Sequence, residues 1–94
     1  MLDKILKLRV FYDDSGKMNR SVVDVNGGLL VVSQFTLAAD TTGGNRPSFT
    51  QAAAPDVGRA LYEHVVQRAR ALHSEVATGV FAADMLVELV NDGP

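Results

Sequence analysis

Residues 29–37 read LLVVSQFTL, from Leu29 to Leu37. Four branched apolar residues in a row, preceded by Gly27-Gly28, predict a strand over Leu29–Phe35. With so few polar breaks, that strand is expected to be buried on both faces and central in its sheet. Upstream, Ser21-Val22-Val23-Asp24-Val25 is equally rich in β-branched residues. Asn26-Gly27-Gly28 between the two stretches is a short-range hairpin signal, because these residues tolerate φ > 0.

The same reading extends outward. Leu2, Ile5 and Leu6 have helical spacing, and Leu8-Arg9-Val10-Phe11-Tyr12 alternates like a strand, so a helix end runs into a first strand. Asp13-Asp14-Ser15-Gly16 is a turn by composition. A polar loop from Asp40 to Arg46 ends in Pro47. Pro55-Asp56 opens the one clear helix, since proline costs nothing at the first turn and an acid complements the dipole. Its apolar stripe is Val57, Leu61, Val65 and Leu72, flanked by Ala60 and Ala69. Val76–Val80 and Met85–Val90 read as two further strands. Four or five strands against one helix, in mixed order, predict an α+β fold in a single domain over residues 1–94.

The 94-residue chain is 47% apolar and 21% charged, with a net charge of −2, as expected of a globular domain lacking a global positive field. Without cysteine it has no thiolate nucleophile, thiolate metal site or disulfide. "MLDKILKLRVF" mixes charge into its apolar residues, unlike a signal peptide, and no apolar run approaches membrane-spanning length. A cytoplasmic protein with no membrane association is expected.

Most familiar chemistry finds no footing. The two histidines, His64 and His73, lie nine positions apart with no third nitrogen ligand, and read as solvated residues on or near the polar side of the helix. There is no GxSxG elbow, P-loop or GxGxxG. No metal or cofactor is expected. What stands out is Ser33-Gln34-Phe35-Thr36, a polar cluster at the end of an apolar strand. Buried polar side chains are costly without partners. The cluster is either a strand end bonding to nearby backbone or a site at the strand's carboxyl end.

Recognition of longer motifs favours the second. SQFTL (Ser33–Leu37), RPSF (Arg46–Phe49), TGVFAADM (Thr78–Met85) and LVNDGP (Leu89–Pro94) occur in that order, with GKMN (Gly16–Asn19) before them. Together they resemble the bacterial D-aminoacyl-tRNA deacylases. The resemblance implies a layered β-β-α architecture and a homodimer. It also implies hydrolysis of the ester of D-aminoacyl-tRNA and of glycyl-tRNA(Ala). Ser33, Gln34, Phe35 and Thr36 would line the catalytic pocket, walled by Phe81 and Met85. Gly93-Pro94, with a cis bond, would reach into the neighbouring subunit and present two carbonyls to the substrate ammonium. An L side chain would then strike backbone while a D side chain or glycine passes. Thr36 has no adjoining base in sequence, and an unactivated hydroxyl is a weak nucleophile. Water attack is therefore expected, with the N–H groups near Phe35 and Thr36 stabilising the oxyanion, and the resemblance implies that the terminal adenosine's 2′-hydroxyl assists.

Two departures from the family pattern accompany the match. The family's opening strands and the strand after Gly-Pro have no counterpart here, so the chain is expected to be truncated at both ends. The loop before RPSF keeps only Arg46 for tRNA phosphate, leaving Lys4, Lys7 and Arg9 as alternatives. Two competing readings follow: a non-catalytic remnant pairing through bare sheet edges as a β-rich interaction module, and a nucleic-acid-binding module without chemistry.

Overall fold

The computed structural model describes residues 1–93; Pro94, and with it the expected cis Gly93-Pro94 bond, lies outside the described residues. The elements are α1 (Leu2–Lys7), β1 (Phe11–Tyr12), β2 (Met18–Arg20), β3 (Leu29–Val31), a 3-10 turn (Phe35–Ala38), α2 (Pro55–Leu72) and β4 (Val76–Thr78). β1 and β2 form an antiparallel hairpin, while β3 and β4 pair in parallel with Leu29 opposite Val76 and Val31 opposite Thr78. The connection from β3 to β4 carries α2, which packs on β4 and on α1. The α+β class read from the sequence is what the chain adopts.

The helix begins where its sequence says it should, with Pro55 in the first turn and Asp56 beside it, and Arg70 lies in the last turn. The buried face overlaps the expected stripe only at Val65 and Ala69, however. Val66 and Ala69 are buried, and Gly58, Tyr62 and Val65 are half-buried, whereas Val57 and Leu61 remain 49% and 59% exposed. The helix is thus turned so that positions 58, 62, 65, 66 and 69 face inward, on the side that packs on β4 and α1. His73 continues this face. It is buried, not solvated as its position suggested, and its Nε2 lies 2.6 Å from the Gly27 carbonyl. A carbonyl can only accept, so this bond fixes the proton on Nε2.

The expected strand at Ser21–Val25 and the hairpin at Asn26-Gly27-Gly28 are not formed. The segment is a single helical turn, and its capping explains why. The Ser21 N–H donates to Asp24 Oδ2 at 2.9 Å, and the Asp24 N–H donates to Ser21 Oγ at 3.2 Å. This reciprocal pair satisfies two donors that a helix start otherwise leaves bare. At the other end Asn26 takes φ 55°, its N–H donates to the Val23 carbonyl, and the Gly27 N–H donates to the Val22 carbonyl at 2.9 Å. Those two bonds close a Schellman turn with asparagine in the left-handed position. Side-chain capping at the start and a backbone-bonded left-handed turn at the end outweigh the β propensity of three valines.

β3 is correspondingly shorter than expected, ending at Val31, and it is not central: its sheet has two strands, and Leu30 is 67% exposed. β4 covers Val76–Thr78 of the expected Val76–Val80. Met85–Val90 is not a strand; Leu86 and Val90 are 100% and 95% exposed, with no ladder to join. An isolated strand has no partner for its N–H and C=O groups, so strand-like composition alone cannot fold it.

Among the described residues the buried apolar ones are few: Leu6, Val22, Val66 and Ala69. Accessible surface totals 7875 Å², against about 5,300 Å² for a compact monomer of this mass. The radius of gyration is 16.5 Å, where about 12 Å is usual.

Candidate active site

Beyond Val31 the chain leaves the sheet. Ser33 and Thr36 are half-buried, Gln34 is extended at φ −151°, and Phe35–Ala38 wind into the 3-10 turn. Gln34 Nε2 donates to Thr36 Oγ1. An amide cannot take a proton from the hydroxyl, so Thr36 has no base in this contact. The N–H groups of Phe35 and Thr36 have no acceptor among the described residues, as expected for the first donors of a helical turn. Two adjacent backbone donors are thus left unpaired beside a hydroxyl, free to bond an acceptor oxygen.

The structure joins this segment to two of the other motifs. The Phe35 ring stands edge-on to Phe49, with centroids 5.2 Å apart, so RPSF packs against SQFT. The loop between them is pinned at its base by paired backbone bonds of 2.8 and 2.9 Å between Asp40 and Ser48. Inside it, the Thr42 side chain and then its backbone N–H hold the Asp40 carboxyl below its usual pKa. Arg46 lies exposed on this loop with no carboxylate in salt-bridge range among the described residues.

TGVFAADM is brought alongside by the parallel pairing. The Gly79 N–H donates to the Val31 carbonyl at 3.0 Å, and a side chain at Gly79 would meet Val32 at 3.2 Å and Met85 Cε at 3.6 Å. Met85 therefore reaches the strand that leads into Ser33. Phe81 is half-buried, 5.8 Å from the Tyr62 ring between centroids, with the Arg59 guanidinium carbon 4.8 Å from its centre. Gly58 leaves room for it, the Phe81 ring passing 3.6 Å from where a Cβ would stand. Ala82 then reverses the chain at φ 61°, in the left-handed region usually left to glycine. Among the described residues Leu89–Gly93 are not joined to the others: Leu89 and Val90 are 73% and 95% exposed, and Gly93 is exposed at φ 134° with nothing within 4 Å of a hypothetical side chain.

GKMN belongs to the hairpin rather than to this cluster. Asn19 Nδ2 donates to Asp13 Oδ2 at 2.9 Å, and Gly16 takes φ 84° at the turn. Two shallow basins lie elsewhere, one of about 240 Å³ between α2 and β4 and one of about 400 Å³ along the ends of β3 and β4; neither is lined by Ser33–Thr36. Among the described residues no group of His, Asp or Glu could hold a metal ion, and no helix is long and apolar enough to cross a membrane.

The sequence model of the D-Tyr-tRNA(Tyr) deacylases matches residues 1–94. The chain belongs to this family. Over its full length it is 74% identical to the D-aminoacyl-tRNA deacylases of Paracidovorax citrulli and Variovorax paradoxus, and 73% identical to that of an Azoarcus strain. It spans 61–64% of the length of those three deacylases. A solved structure of the c-Myc DNA unwinding element binding protein, 38% identical, superposes on 99% of this chain and 64% of its own with a TM-score of 0.86. The deacylase family match thus covers every segment that the site draws together.

Tyr62 is the residue that reading the sequence passed over. Its hydroxyl lies 3.0 Å from the Val31 carbonyl and 3.3 Å from that of Gly79. The available signal was its place four residues after Gly58 on the inward face, where a phenol needs a polar partner.

Proposed function

We propose that the chain carries the hydrolytic site of a D-aminoacyl-tRNA deacylase, formed by Ser33–Thr36. The reading is supported above all by the two unpaired N–H groups of Phe35 and Thr36, set beside a hydroxyl that has no base. Water adds to the ester carbonyl carbon, and its oxygen gathers charge against these N–H groups. The carbonyl–ribose oxygen bond then breaks, and the ribose oxygen takes up a proton, with the terminal adenosine's 2′-hydroxyl assisting. Thr36 orients the water or ester as a donor, since Gln34 already donates to its oxygen. Phe81 and Met85 wall the site.

Chirality is read by exclusion. Gly93-Pro94 of a second copy, with the peptide bond cis, turns two carbonyls toward the substrate ammonium, and X-Pro is the linkage where cis costs least, about 0.5–1 kcal/mol. L-aminoacyl esters clash with that backbone, whereas D-aminoacyl and glycyl esters, including glycyl-tRNA(Ala), fit. Arg46 contacts tRNA phosphate. The enzyme works as a homodimer in the cytoplasm and needs no metal or cofactor.

The test is release of D-tyrosine against L-tyrosine from tyrosyl-tRNA by this chain. D-selective turnover is expected, and Thr36→Ala retains much of it; equal release of both isomers would overturn the reading. A folded, self-associating chain that releases neither would favour a non-catalytic β-rich interaction module. The observation favouring that second reading is an accessible surface of 7875 Å², roughly 2,500 Å² more than a compact monomer exposes.

A further inference from the structure

We propose that Tyr62 is a positioning residue of the hydrolytic site, a single phenol on α2 that sets the spacing between the two backbone segments bearing the site residues. The proposal rests on the reading of Ser33–Thr36 as the place of ester hydrolysis. The Tyr62 oxygen lies 3.0 Å from the carbonyl of Val31, two residues before Ser33, and 3.3 Å from that of Gly79, two residues before Phe81. The last bond between the segments, from the Gly79 N–H to the Val31 carbonyl at 3.0 Å, lies at the same point.

Beyond this fork the two chains part. One enters the 3-10 turn that presents the Phe35 and Thr36 N–H groups, and the other turns back at Ala82. The phenol has one proton, donated to Val31 at the shorter distance and within reach of Gly79. It therefore holds two carbonyls of different segments at one point on the helix. Its ring supports Phe81 from the same place, at 5.8 Å between centroids. Packing alone would be served by phenylalanine. The hydroxyl adds only a direction to two carbonyls, and a donor pair aimed at a developing oxyanion is sensitive to direction.

The experiment compares wild type, Tyr62→Phe, and 4-aminophenylalanine at position 62, which restores an N–H donor on the same ring. Tyr62→Phe is expected to move the amide resonances of Ser33–Thr36 and Gly79–Phe81 together and to leave β1 and β2 in place. Its turnover of D-tyrosyl-tRNA falls roughly tenfold, inside the hundredfold that a 1 Å misplacement can cost. The half-saturating tRNA concentration stays unchanged, and 4-aminophenylalanine restores both the resonances and the rate. Unmoved resonances, or a change confined to half-saturation, would overturn the assignment. Should Tyr62→Phe not fold, 4-fluorophenylalanine fills the hydroxyl's space without a proton and takes its place. If wild type releases no D-tyrosine, the hydrolytic reading fails separately and the resonances alone decide: joint, reversible movement of the two segments supports the fork, and movement of one or neither defeats it.

Discussion

The β1–β2 hairpin and the β3–α2–β4 unit are held by different forces. In the hairpin one carboxylate organises the turn: Asp13 accepts from the Ser15 and Lys17 N–H groups, the Ser15 hydroxyl and the Asn19 amide, all within six residues. Its strand residues stay exposed or half-buried. In the other unit the bonds that matter span long stretches, from Tyr62 to Val31 and from His73 to Gly27, over a face built on Val66 and Ala69. Local bonds shape a turn without needing a core, whereas the site hangs on contacts that require the core first. Damage to the second region should therefore reach Ser33–Thr36, and damage to the first should not.

The strongest way to break that contrast is to empty the core where α1 meets α2. Leu6 is 4% exposed, and Leu6→Ala should cost about 2–5 kcal/mol, read as a lower urea midpoint with loss of the Phe35 and Thr36 amide resonances. Next comes His73→Ala, which removes a buried side chain and strands the half-buried Gly27 carbonyl, and which should cost about 1–3 kcal/mol. Its mark is faster hydrogen exchange at Leu29, whose N–H donates to Glu75 at the start of the ladder. A midpoint unchanged in both variants would mean that the long-range contacts carry no stability, and the contrast would fail.

Legibility in the sequence follows the same division. Pro55-Asp56 announced α2, and Asp13-Asp14-Ser15-Gly16 announced its turn, because each signal acts on neighbouring residues. The α2 face was misjudged because Val57 and Leu61 satisfy helical spacing as well as Tyr62 and Val66 do; only the sheet's position chooses between them. Met85–Val90 is as apolar as a buried strand should be, yet strand formation needs a neighbour that composition cannot name. Of the candidate site, Ser33–Thr36 showed itself as polar residues ending an apolar run. The approach of β3, which leads into it, to the segment that carries Phe81 and Met85 depends on parallel pairing of residues 47 apart, Leu29 with Val76 at its start, which no local pattern encodes. Ser21-x-x-Asp24 was legible as a capping pair, but three valines spoke for a strand.

That capping pair offers an intermediate test. Ser21→Ala removes the acceptor for the Asp24 N–H and should cost about 1 kcal/mol. The loss belongs to the long-range region, since the Ser21–Gly27 turn ends at the carbonyl that His73 holds. A double variant with His73→Ala should thus cost less than the two single losses together, because neighbouring perturbations do not add.

The smallest effect is expected at Asp13, and its pH dependence separates the two regions without mutation. The Lys17 N–H, then the Asn19 and Ser15 side chains, hold its carboxyl well below the ordinary value of 3.8. A folded-state pKa depressed in this way adds stability that is present above the unfolded value and is lost as pH falls through the folded one. On acidification from pH 7, nothing should change in the turn until pH drops below about 4. The Ser15 and Lys17 amide resonances should then shift as the carboxylate protonates, and the Val31 and Gly79 resonances should stay where they are. Asp13→Asn should reproduce this local loosening at neutral pH with nearly the wild-type urea midpoint, because the turn's bonds lie at the surface and no core rests on them. If the acid transition moved both regions together, the hairpin would be coupled to the core, and the independence argued from its bonding would be wrong.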